Sequence, residues 1–170
     1  MVPNTPRPHP LQIKPVILRV MKKILLLLAA ILAVAQFFQP TWSTYHGSSN
    51  DGIETLYAID PSVALLLQQA CYDCHSNATR VPWYARVQPL GWWIKSHVDE
   101  GREALNFSVF ASYHPEDHRV IFEDIIGEIK HGSMPLPSYQ WAHPDARLTD
   151  AQRNEIILWA QRLSASRQTP

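Results

Sequence analysis

From residue 60 onward, apolar positions recur at helical spacing in four stretches. Val63, Leu66, Leu67 and Ala70 share one face over about 60–71, behind Asp60-Pro61, an N-cap followed by a proline at the first helical position. Leu90, Trp93, Ile94, His97, Val98 and Leu105 make a second stripe over about 89–105. A third helix opens at His114-Pro115, turns Phe122, Ile125, Ile126 and Ile129 inward, and stops at Gly132. The fourth starts at Thr149, whose partner Gln152 completes a capping box, and carries Ile156, Trp159, Ala160 and Leu163 on its apolar side. The pattern predicts an all-α domain of about four helices over 60–165, the last crossing the first near Leu67.

The upstream part divides differently. Residues 1–20 are proline-rich and Met21-Lys22-Lys23 has the form of a natural start, so 1–20 are expected to be disordered or a mis-assigned start. Ile24 to Ala35 is an unbroken apolar run of twelve, prolonged by Phe37 and Phe38 and ended by Pro40. Residues 21–39 therefore form an N-terminal hydrophobic helix, read either as a cleaved signal or as a retained anchor. The anchor is favoured because two phenylalanines make a poor start for a mature soluble chain. In both cases the lysine pair stays inside and the domain is exported, to the bacterial periplasm. Residues 40–59 read as a polar tether and 166–170 as a frayed tail.

Charge sharpens this division. Residues 1–35 hold Arg7, Lys14, Arg19, Lys22 and Lys23 and no acid, whereas the rest holds ten basic and fifteen acidic residues, a balance of −5. No basic face suggests nucleic acid. Glu116, Asp117, Glu123, Asp124 and Glu128 spread along one helix and read as its solvated side, not as converging catalytic carboxylates.

The chemistry concentrates in Cys71-Tyr72-Asp73-Cys74-His75, which holds the only two cysteines. C-x-x-C-H is the attachment signature of a c-type haem. Two thiols three positions apart reach two vinyl groups on one porphyrin edge, and the adjacent imidazole reaches the iron. A thioredoxin-like dithiol would have a strand before the motif; here a helix leads into it. A zinc site with two of the eight histidines is the other alternative. For the distal iron ligand the candidate is Met134, the one methionine after Met21, in a proline-bounded loop 59 residues past His75. His131 and His97 are the fallbacks. Pro82 is the candidate carbonyl to accept from the His75 ring, and Arg80 and Arg86 the candidates for propionates. Pro82-Trp83-Tyr84 is placed to cover a large apolar ligand or to pack in the core. Two sequons, at Asn77 and Asn106, are expected to be irrelevant in a bacterial chain.

These features resemble class I cytochromes c: a helix into C-x-x-C-H, a late Met-Pro loop and a C-terminal helix with an aromatic. More closely, the chain is similar to the bacterial haem-binding-domain family of small cytochrome-c-like proteins. Cys71 to Asn77, Pro82-Trp83-Tyr84, Gly101-Arg102, Leu105 to Ser108, Met134-Pro135, His143-Pro144 and Leu148 carry the resemblance over about 60–165. It implies one covalent haem c, with Cys71 and Cys74 as thioether donors, His75 as proximal ligand and Met134 as distal ligand. The Trp-rich stretch at 83–108 departs from an ordinary class I cytochrome. The function expected is one-electron transfer to a redox partner protein, with an electron carrier favoured over an enzyme. The alternative is a haem-based sensor or peroxidase-like enzyme with an open distal site, for which His97 and Arg102 would be needed but fall on different helix faces.

Overall fold

The computed structural model describes residues 13–43 and 50–166. Among these residues there is no strand, and the fold is all-α. The long helices are α1 (Ile13–Ala35), α2 (Pro61–Ala70), α4 (Leu90–Ala104), α5 (His118–His131) and α7 (Asp150–Ser166). Two short helices join them, α3 (Tyr72–His75) and α6 (Pro137–Ala142), with 3-10 segments at Ile53–Thr55, Trp83–Arg86, Phe107–Ser112 (kinked at Val109) and Pro144–Ala146. The expected disorder of 1–12, the tether residues 44–49 and the tail at 167–170 lie outside the described residues.

Local signals explain most helix boundaries. Thr149 N–H donates to Gln152 Oε1 at 2.8 Å and Gln152 N–H to Thr149 Oγ1 at 3.3 Å, so the capping box forms. Gly132 ends α5 in the left-handed region at φ 73°, where only glycine is unstrained. Asp60 precedes Pro61 but its side chain makes no cap bond. Its carboxylate instead accepts from Arg162 at 2.9 Å.

The core gathers Tyr57, Leu67, Phe110, Phe122, Ile156 and Trp159. Phe122 meets Trp159 edge-on at 5.7 Å and Tyr57 at 5.3 Å, an arrangement that suits ring quadrupoles. The principal partner of α7 is α5, and its contact with α2 is the smaller one. The expected crossing over the first helix is therefore a side contact.

The segment expected as a tether is partly structural. Ile53 and Tyr57 are core residues, and Ala111 N–H donates to Asp51 O at 2.8 Å. Before it, Ser43 Oγ–H donates to Asn77 O at 3.3 Å and its own carbonyl accepts from Arg102 at 3.2 Å. The composition looked like linker because residues 41–52 are mostly polar and the apolar anchors come only at the end of the segment.

The apolar helix also begins earlier than expected, at Ile13. Among the described residues no helix is long and apolar enough to cross a membrane. Arg19, Lys22 and Lys23 confine the unbroken apolar run of α1 to twelve residues. That run is about 18 Å long, against a hydrocarbon core of about 30 Å.

Candidate cofactor site

The motif Cys71-Tyr72-Asp73-Cys74-His75 sits at a break between α2 and α3. Cys71 closes α2 with a distorted backbone (φ −125°, ψ −44°), and its carbonyl accepts from His75 N–H at 2.9 Å. Helix α4 packs closely over α3. At Gly101 an added Cβ would lie 3.0 Å from the Cys74 carbonyl oxygen and 3.1 Å from its Cβ. Glycine there lets α4 approach the motif, a need that the Gly-Arg pair in the middle of a helical stripe could have signalled.

His75 Nδ1–H donates to Leu105 O at 3.1 Å. This bond fixes the tautomer and leaves Nε2 as the nitrogen with a lone pair. The acceptor is thus the carbonyl just past the end of α4, not Pro82. Burial pushes the imidazole below its ordinary value, with the Leu105 and Gly101 carbonyls working against the shift. Burial also drives both thiols up, Cys71 to about 12, helped by Cys74, and Cys74 to about 11, helped by Asp73 and opposed by Arg102. Such thiols are neutral at pH 7, the opposite of the low-pKa thiolate that dithiol redox chemistry requires. Among the described residues no cluster of three or more His, Cys, Asp or Glu is arranged to hold a metal ion.

Cys71 and His75 line a cavity of about 480 Å³, within the usual range for cofactor pockets. Its walls are mostly apolar: Leu67 and Ala70 of α2, Ala104 and Leu105 after the motif, Phe107, and Ile121, Ile125 and Ile129 of α5. Met134, Pro135 and Leu148 complete it. Asp124 and Glu128 of α5 are exposed yet line it too, so they form a solvent-facing acidic rim. Met134 is positioned by the end of α5: Ser133 N–H and Met134 N–H both donate to Glu128 O, at 3.1 and 3.3 Å.

The other candidates lie elsewhere. His131 is exposed and His97 donates from Nδ1 to its own helix at Trp93 O, 2.8 Å away; neither lines the cavity. Arg102 is spent within the fold, donating to the Ser76 carbonyl at 2.8 Å and to the Thr79 hydroxyl at 2.7 Å. His97 and Arg102 therefore do not form a distal pair. Arg80 binds Asp73, and Trp83 and Tyr84 stand outside the cavity. The two sequon asparagines pair with each other, Asn106 Nδ2–H donating to Asn77 Oδ1 at 2.9 Å, so both are structural.

Sequence reasoning missed the buried carboxylate of Asp73, inside the motif itself. Its Oδ1 accepts from Arg80 N–H and Nε–H, each at 3.0 Å, and its Oδ2 from Arg80 Nη2 at 3.1 Å and Tyr139 O–H at 2.6 Å. Tyr139 lies on α6, directly after the Met134 loop. The motif and that loop are thereby tied together. Burial raises the phenol of Tyr139, and the Asp73 carboxylate raises it further.

An apolar cavity with a neutral imidazole of fixed tautomer and a thioether on its wall has the donor set that a large iron-bearing cofactor requires. Residues 30–162 match the family described as Haem-binding domain, and the chain belongs to that family and binds haem. No curated protein and no solved structure matches it.

The depressed imidazole gives a pH prediction. Its folded-state value lies below the unfolded value of 6.5, so between the two the unfolded chain binds more protons than the folded one. Stability of the haem-free chain is therefore full above about pH 6.5 and falls as pH drops through that value. Thermal melts of the Cys71→Ala/Cys74→Ala protein from pH 8 to 5 measure this. His75→Asn added to that background is expected to flatten the slope.

Proposed function

We propose that the protein is a mono-haem c-type cytochrome that passes single electrons on the exported side of the bacterial inner membrane. Cys71 and Cys74 form the thioethers, His75 is the proximal ligand and Met134 the distal one. The observation that carries this reading is the convergence of Cys71, His75 and Met134, from the α2–α3 junction, α3 and the loop after α5, on one apolar cavity. When bound, the haem supplies a reversible one-electron couple at iron.

The chain's own residues set its conditions. Leu105 O holds the His75 ring and raises its basicity as a ligand. The apolar walls exclude water, and a thioether in place of a second imidazole favours the ferrous state. The acidic rim of Asp124 and Glu128, with the −5 balance beyond residue 35, suits a basic surface on the redox partner. The twelve-residue apolar run of α1 behind Lys22 and Lys23 supports export and retention at the membrane.

The ferric spectrum of the matured protein tests the proposal. A low-spin spectrum with a methionine–iron charge-transfer band is expected, and Met134→Ala should lose the band, lower the potential and gain carbon monoxide binding. A high-spin resting iron in the wild type that binds carbon monoxide readily would overturn Met134 as ligand and favour an open distal site.

A further inference from the structure

We propose that the haem domain carries a lipid-facing collar. Phe37 and Phe38, just past α1, together with Trp83, Leu90, Trp92 and Trp93, rest in the boundary between headgroups and acyl chains of the membrane that α1 enters. The proposal rests on the membrane reading of α1 given above and adds a second contact to it.

The collar begins with a clamp. Gln36 and Gln88 bond reciprocally: Gln88 N–H donates to Gln36 Oε1 at 3.0 Å, and Gln36 Nε2–H to Gln88 O at 3.2 Å. Gln88 Nε2–H donates to Gln39 Oε1 at 3.1 Å, and Gln39 Nε2–H to Arg86 O at 3.2 Å. Trp92 Nε1–H donates to Phe38 O at 2.7 Å. The end of α1 is thus fixed against the start of α4 and the turn before it. That turn is itself locked down, since a Cβ at Gly91 would stand 2.2 Å from Ala85 O.

The clamp assembles side chains that water disfavours. Phe37 is 86% exposed and Trp83 78%, with Phe38, Leu90, Trp92 and Trp93 each at least two-fifths exposed around them. Exposed apolar side chains carried on segments clamped together in this way mark an interaction site. Its continuity with α1 identifies the occupant as lipid. Leu25 to Leu28, Ile31, Leu32 and Val34 are all exposed, so the 24–35 part of α1 is apolar on every side, as a helix in lipid is. Tryptophan suits the next layer, where an apolar body meets a wet polar edge. The exposed Arg86 in the same turn adds attraction for anionic headgroups.

The arrangement also answers the short apolar run of α1. Lys22 and Lys23 reach outward at one end by snorkelling. At the other end the collar carries apolar surface past the last turn of the helix, so the mismatch with the bilayer is shared between helix and domain.

The test uses the full-length holoprotein with vesicles of phosphatidylethanolamine and phosphatidylglycerol. The photo-reactive residue p-benzoylphenylalanine replaces Trp83 in one variant, Trp92 in a second and Leu158, exposed on α7, in a control. Helical circular dichroism and haem content confirm folding. All three are expected to float with the vesicles. After irradiation, the variants at 83 and 92 should gain the mass of one phospholipid and the control should not. Floating protein whose positions 83 and 92 capture no lipid, or capture a second copy of the chain, overturns the collar and leaves the membrane reading of α1 intact. Protein that stays at the bottom of the gradient overturns both.

Discussion

Replacing Cys71 and Cys74 together by alanine is expected to remove covalent haem completely. Denaturing gels stained for haem should show colour with the wild-type polypeptide and none with the variant. Intact mass should fall by the haem as well as by the two sulfurs. Each single variant retains one thioether and should keep the cofactor at reduced yield. Unfolding does not account for the loss. Both thiols are only half-buried, and losing a sulfur to a methyl costs about 1 kcal/mol at such a site. The haem-free chain should therefore keep its helical signal. His75 and the cavity walls remain, so the double variant still offers a non-covalent site, from which solvent extraction should strip any haem. Wild-type protein, correctly matured, at the mass of the bare chain would refute covalent attachment outright.

The second large effect is expected at Asp73. This carboxylate is 5% exposed and accepts four hydrogen bonds, three from Arg80 and one from Tyr139. Asp73→Ala leaves the Tyr139 hydroxyl and the Arg80 amide without that acceptor. Breaking a buried pair costs 3–5 kcal/mol, but the Arg80 side chain is 58% exposed and water screens its share. A net loss of about 3 kcal/mol follows, or roughly 10 °C in Tm. Asp73→Asn keeps an acceptor for Tyr139 and should lose about half of that. Arg80→Ala should cost less again, because solvent already competes for the guanidinium. Melts of the three variants give this order. Equal losses at Asp73 and Arg80 would mean that the tie to α6 contributes nothing.

The parts legible in the sequence were those written in local chemistry. The capping box at Thr149 and the stop at Gly132 work through residues a few positions apart, and so they could be read directly. Helical periodicity foretold α2, α4, α5 and α7 within a few residues. It could not foretell that α7 would choose α5 over α2, since both offer apolar faces and only packing decides. The position of Met134 on the cavity wall was readable from its proline-bounded loop. Leu105 as the partner of His75 was not, because every residue has a carbonyl and nothing in the side chain marks the one that is used. The pairing of Asp73 with Tyr139 spans 66 positions, and the Gln36–Gln88 clamp spans 52. Polar residues that far apart carry no pattern until the chain has folded. Ile53 and Tyr57 belong to a short apolar stretch, with Leu56, Ala58 and Ile59, that follows a polar run and reads together with it.

The half-buried state of the two cysteines has a consequence for assembly. Gly101 of α4 presses on Cys74, while the tie from Asp73 to Tyr139 shuts the motif in from the side of α6. In a chain that completed this packing first, the cavity would still admit haem but Cys74 would be harder to reach. If the thioethers form as proposed, a variant that speeds folding without stabilising the loaded form is expected to mature in lower yield.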